Sequence, residues 1–207
     1  MPAVPAMPAT ATDPRARLLG AALAVLDEDG VEGLTLRAIA RRAEVSHGAP
    51  LKHFPHRAAL LSAVATAGFR ELNASAEAAV RDCPEGASAT ARLRAGARGY
   101  VAYALERPAM FALMFRHDLL DPQDKELSRV SLSAFDDRLL VLVRAAQADG
   151  WHPEADSRAL TGALWSGLHG LVQLWLWGSL ALATGAPSAD AALDALFTSY
   201  DLKERRR

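Results

Sequence analysis

The stretch E-V-S-H-G-A-P-L-K-H-F-P-H-R, residues 44–57, gathers hydroxyl, imidazole and cationic side chains within a few positions. Ser46, Lys52, His53, His56 and Arg57 can donate to a phosphate backbone, and His47 suits either a phosphate or a base edge. Gly48 and Pro50 are poor residues for a helix interior, Gly by roughly 1 kcal/mol relative to Ala. At Gly48 the missing side chain would let backbone come close to a partner. Just upstream stand Arg37, Arg41 and Arg42, so residues 35–57 hold five cations against Glu44 alone. The local charge is +4 in a chain of formal net charge −1, which leaves −5 elsewhere. Any surface for a polyanion is therefore local. Taken alone, the arginine run fits a solvated helix face better.

A second constellation could bind a small molecule. Tyr100, Tyr103, Met110, Phe111, Met114 and Phe115 surround Pro108, and Trp165 and His169 stand one helical turn apart. A mostly apolar cavity with a few placed polar groups needs residues of this kind. The same residues fit plain core, with His169 bonded to a backbone carbonyl. Residues 159–189 contain no Asp, Glu, Lys or Arg. That length would suit a membrane span, but five glycines, several Ser and Thr, His169 and Gln173 interrupt it, and no positive cluster flanks it. A helix apolar all round is equally at home between protein surfaces, and no membrane partner is expected.

Other chemistries lack their residues. No paired-carboxylate constellation in an apolar helix, nucleophile elbow, phosphate loop or zinc-type spacing occurs, so neither an enzyme nor a cofactor or metal site is expected. His47, His53 and His56 have no cysteine or carboxylate joining them in such a pattern. Cys83 is the lone cysteine, which rules out an intrachain disulfide. Residues 1–14, rich in Pro and Ala, read as a disordered tail and not as a signal peptide, and the chain is expected in the cytoplasm.

Apolar residues recur at three and four spacing nearly throughout, so the expected fold is all-α. A first helix is predicted over about 15–28, with Leu18, Ala22, Val25 and Leu26 inward and Gly30 ending it. Thr35 should cap a second, with Leu36, Ile39, Ala40 and Ala43 buried and Arg37 and Arg41 outward. Ser46 should cap a third that runs to about His53. Further helices are predicted over about 57–82, 88–106, 108–117, 122–148 (capped by Asp121), 156–184 and 189–203. The repeat of Gly162, Ser166 and Gly170, with Leu168, Leu171, Trp175 and Leu182 nearby, suggests a surface where a second copy packs.

Two short helices joined by a tight turn form a helix-turn-helix. The pattern T-x-x-x-I-A-x-x-A-x-V-S-x-G…H-F-x-x-[RK]-x-x-L-L, carried here from Thr35 to Leu61, resembles the DNA-binding domain of the TetR family of transcriptional regulators. A-L-W-S-G-L-H-G-L-V-Q-L and E-R-P-A-M-F-A-L-M-F resemble segments of the ligand-binding domain of a TetR subfamily with a Trp…His-Gly signature. The family usually has Tyr where this chain has Leu51, which cannot make the phosphate bond of that hydroxyl.

The resemblance implies a disordered tail (1–14), an N-terminal three-helix helix-turn-helix DNA-binding domain (15–60) and a larger helical ligand-binding and dimerisation domain (61–207). The expected DNA contacts are Thr35, Arg37, Ser46, Lys52 and His53 on phosphates and His47, Gly48 and Ala49 on bases, with Leu51 among them. The expected ligand residues are Tyr100, Tyr103, Met110, Phe111, Met114, Phe115, Trp165 and His169. Expected partners are a double-stranded DNA operator, a small apolar effector and a second copy in a homodimer, with repression the family habit. A helical small-molecule-binding protein with weakened or lost DNA binding is the alternative.

Overall fold

The computed structural model describes residues 13–201, and among them there are helices and no strands. Helix α1 (Pro14–Gly33) opens with Asp13, whose carboxylate accepts from the Arg15 N–H, and with Pro14 in its first turn. Asp13 and Pro14 thus belong to the first helix; the rest of the predicted tail, residues 1–12, lies outside the described residues. Gly30 interrupts α1 with φ 69°, as its glycine suggested. Thr35 caps α2 (Leu36–Arg42) by accepting from the Ala38 N–H at 3.1 Å. Ile39, Ala40 and Ala43 are buried as expected, and Leu36 is half-buried.

The turn after α2 departs from expectation. Glu44 takes a left-handed φ of 55°, and the bonds Val45 N–H to Ala40 O and Glu44 N–H to Arg41 O close a Schellman motif. The chain then turns once more before α3 (Ala49–His53), whose N-cap is Gly48 and not Ser46. Pro50 therefore falls in the first turn, where a missing N–H is harmless, and its ring is buried.

The His56 imidazole accepts from the Ala59 N–H and so caps α4 (Arg57–Arg81). This 25-residue helix runs from the helix-turn-helix into the second half of the molecule. It crosses α5 (Ala89–Glu106) closely: a Cβ on Gly99 would stand 2.8 Å from Ala76 Cα. Pro108 opens α6 (Pro108–Met114), which ends earlier than predicted.

The predicted helix 122–148 starts later, at α7 (Lys125–Ser133), because Asp124 and not Asp121 accepts from the first free N–H groups. It continues through a π-helical turn (Ala134–Leu139) into α8 (Leu140–Ala148). The predicted helix 156–184 is broken in two, α9 (Ser157–Leu176) and α10 (Ser179–Thr184), since Gly178 adopts φ 75° between them. The last helix, α11 (Ala189–Ser199), stops before the predicted 203.

Two apolar cores result. The first joins α1, α2 and Phe54 at the end of α3 to α4 and extends to Tyr103, Met110, Leu113 and Met114. The second gathers Phe111 with residues of α5, α8, α9 and α11. Helix α6 thus has a side chain in each core, and Tyr100 and Phe115 pack against both.

Candidate nucleic-acid interface and ligand cavity

The sequence of α2, turn and α3 decides which side chains face outward. Ile39, Ala43 and Pro50 are buried, whereas Ser46, His47, Gly48, Leu51, Lys52 and His53 are exposed and Ala49 is half-buried. Leu51 is 50% exposed, whereas Pro50 beside it is buried. Gly48 has an ordinary right-handed φ of −85°, and a Cβ there would meet nothing within 4 Å. Its lack of a side chain is therefore not demanded by the fold.

The cations of this region divide into two sets. Arg42 is engaged bidentately by Glu28 at 2.7 and 2.8 Å, and the Arg57 Nε donates to the Leu34 carbonyl at 3.0 Å. Arg17, unnoticed in the sequence, donates to the Ala43 carbonyl at 2.7 Å and so fastens the end of α2. His56 faces Asp121 at 3.5 Å. These four residues brace the motif. Thr35, Arg41, Lys52 and His53 remain on the exposed surface with Arg37 beside them, and the Thr35 hydroxyl keeps its proton for a further acceptor.

The second site is a cavity of about 310 Å³ between α4, α5, the α7–π–α8 segment and α9. Its wall includes Phe69, Leu72, Tyr100, Phe115, Phe135 and Trp165, with Asn73, His117 and Arg138 supplying polar groups. Of the eight ligand candidates read in the sequence, Tyr100, Phe115 and Trp165 line it directly. Phe111 and His169 stand behind them, Phe111 with its ring centroid 5.0 Å from Phe115 and His169 at 4.5 Å from Phe115.

Tyr103, Met110 and Met114 do not line the cavity. Tyr103 points away from it, its hydroxyl donating to Glu71 at 3.3 Å, and the two methionines fill the first core against Gly68. Alternate turns of α5 and α6 face different cores, which composition around Pro108 could not reveal.

Sequence reading missed Asn73, Phe135 and Arg138. Phe135 and Arg138 reach the wall through the π-helical turn, whose extra residue shifts the helical register.

The residues expected at a surface for a second copy divide between inside and outside. Leu168 and Leu171 are buried within the subunit, whereas Leu174, Leu176, Trp177 (70% exposed) and Leu182 (89%) project from α9 and α10. A Cβ on Gly162 or Gly170 would meet nothing within 4 Å, so that edge is open. No described helix is long and apolar enough to cross a membrane.

Known proteins share both halves. Residues 18–64 match the family of bacterial regulatory proteins named tetR, and residues 93–200 match the tetracyclin repressor-like C-terminal domain. The HTH-type transcriptional regulator BetI of Burkholderia mallei (strain NCTC 10229) is 31% identical over 174 residues, covering 81% of this chain and 82% of its own. A structure of a Rhodococcus sp. RHA1 protein of unknown function superposes with TM-score 0.79 at 32% identity, over 94% of this chain and 97% of that one. The TetR-family regulator PfmR from Thermus thermophilus shares the fold at 20% identity, with TM-score 0.66 over 92% of this chain and 100% of its own.

Proposed function

The chain belongs to the TetR family of DNA-binding transcriptional regulators, and from that premise we propose that it is a homodimeric repressor released from a palindromic operator by a small, largely apolar effector. The observation that carries this reading is the exposure of Ser46, His47, Gly48, Leu51, Lys52 and His53, together with Arg37 and Arg41 on the preceding helix, on a chain of net charge −1. Helix α3 enters the major groove, with His47, Gly48 and Ala49 at base edges and Thr35, Arg37, Ser46, Lys52 and His53 at phosphates. Two copies place two such helices one helical turn of DNA apart, about 34 Å. The exposed apolar groups of α9 and α10 are the surface through which the copies pack.

In this reading residues 15–60 recognise DNA and residues 61–207 bind effector and partner subunit. Tyr100 and Phe115 touch the cavity and both cores, so an effector that displaces them shifts α6 against α1 and changes the separation of the two α3 helices. A coupling of about 1–3 kcal/mol between the sites suffices for regulation.

The test is fluorescence anisotropy of the protein on its own upstream intergenic DNA beside a scrambled duplex, titrated at several salt concentrations. Preference for the upstream fragment with a steep negative salt slope supports the reading. Absence of binding to either duplex favours a small-molecule-binding protein that has lost DNA recognition, a second reading for which the exposed Leu51 at the DNA-facing surface speaks.

A further inference from the structure

The wall of the cavity holds one buried side chain whose hydrogen bonding the fold leaves unfinished. Phe69, Leu72, Asn73 and Ala76 recur at three and four spacing on α4, and all four line the cavity. Asn73 is only 6% exposed, a burial at which amide groups are normally paired. Among the described residues its one bond runs from Nδ2 to the Val130 carbonyl at 3.5 Å, longer than an ordinary N–H···O bond. A carbonyl can only accept, so that contact fixes the nitrogen toward Val130 and leaves Oδ1 on the other branch of the amide. No described residue donates to Oδ1, yet the atom keeps accessible surface, unlike the sealed Arg138 Nε. A molecule in the cavity can therefore reach it. The wall also carries the rings of Phe115, Phe135 and Trp165; Trp165 lies 6.3 Å from each of the other two, centroid to centroid.

The other polar groups of the wall are engaged or stand at its exposed edge. The Tyr100 oxygen is paired with His169 Nδ1 at 3.0 Å, and Ser131 gives its proton to the Ser128 carbonyl at 3.2 Å. Arg138 is held by Glu77 and by Ser133. His117 is exposed, and no Asp or Glu lines the wall. A hydrocarbon, or a molecule that only accepts, suits the rings but leaves Asn73 Oδ1 bare. A carboxylate could meet His117 at the edge, but its oxygens also only accept. A cation would donate to Oδ1 but find no carboxylate to balance it beside Arg138 and His117. We infer that the cavity takes an uncharged aromatic molecule carrying a hydroxyl, a phenol or aryl alcohol, with its body against Phe115, Phe135 and Trp165 and its O–H donated to Asn73 Oδ1. This rests on the cavity being the effector site.

The test is isothermal titration of the full chain with four probes of similar shape: 2-naphthol, 2-methoxynaphthalene, 2-methylnaphthalene and 2-naphthoate. Naphthol should bind about fivefold more tightly than methylnaphthalene, the gain expected of one neutral hydrogen bond, and more tightly than the methoxy compound and the naphthoate. Asn73→Leu keeps the bulk of the side chain and removes the acceptor; it should erase the advantage of naphthol without weakening methylnaphthalene. Equal binding of naphthol and methylnaphthalene, methoxynaphthalene binding as tightly as naphthol, tightest binding of naphthoate, or a naphthol preference that survives Asn73→Leu overturns the inference. Ala134→Trp, from a half-buried wall position, separates this from the premise. Probe binding that Ala134→Trp blocks but that ignores the hydroxyl sinks only the inference. Probe binding that Ala134→Trp leaves untouched, or no binding at all to the wild type, overturns the effector site and the inference together. Thermal melts of both variants establish that each is folded, and the ranking of probes on the wild type decides the matter without them.

Discussion

The Tyr100 hydroxyl lies 3.0 Å from His169 Nδ1, tying α5 to α9 behind the cavity wall. Burial raises the tyrosine's pKa far above its ordinary value and lowers the histidine's below 6.5, so both are neutral at neutral pH. The pairing that fits both contacts has the His169 Nδ1–H donating to the Tyr100 oxygen and the His169 Nε2 accepting from the Gln173 Nε2–H, 3.4 Å away.

That depressed pKa sets a sign for pH dependence. As pH falls, the unfolded histidine takes up its proton first, so the folded state loses stability from about pH 6.5 downward until the folded imidazole also titrates. His169→Gln should flatten the melting-temperature profile between about pH 7 and pH 5 relative to wild type. Parallel profiles would assign the acid loss to other groups.

Lys52→Ala tests phosphate contact. The side chain is exposed on the outer surface of α3, so stability should hold while affinity for every DNA sequence falls. The log–log salt slope should shrink by about one. An unchanged slope would remove Lys52 from the phosphate set.

Gly48→Ala separates fold from recognition. The added methyl meets nothing in the subunit, so stability should stay within about 0.5 kcal/mol. Operator affinity should fall if backbone there approaches the bases. Unaltered operator binding would place Gly48 away from the DNA.

Gly170→Ala probes the open edge of α9. With no neighbour within 4 Å, the methyl should raise helix stability by roughly 0.5–1 kcal/mol. In sedimentation the dimer should dissociate more readily, because two close backbones are pushed apart. A dimer as tight as wild type would move the contact to Trp177 and Leu182.

Trp165→Ala opens the cavity from its 37% exposed wall residue. Effector response should change by about tenfold with DNA affinity and dimer intact. A collapsed dimer would show the indole to be structural.

How far the residues alone lead can be judged element by element. Helix existence was legible wherever a cap and a three–four apolar repeat coincide: Thr35 and Pro108 each open a helix at the predicted place, and Arg57–Arg81 matches its expected span almost to the residue. Boundaries failed where several residues of one type competed. Asp121 and Asp124 are both good caps, and only the path of the chain lets Asp124 meet the free N–H groups. Ser46 lost to Gly48 because the Schellman turn at Glu44 carries the chain one step further before α3 begins.

For the interface, local chemistry and local geometry coincide, so the sequence by itself determined an exposed basic helix-turn-helix and its family. It could not divide the cations, since Arg42 and Arg57 are held by Glu28 and Leu34, partners 14 and 23 positions away. The cavity was decided by tertiary structure alone. Which core Tyr100 or Tyr103 faces depends on how α5 is rotated against α4, and Arg138 reaches the wall only through a π-helical turn that no periodicity announces. A helix-turn-helix is built from neighbours along the chain, whereas a cavity is the space left between helices that are distant in sequence.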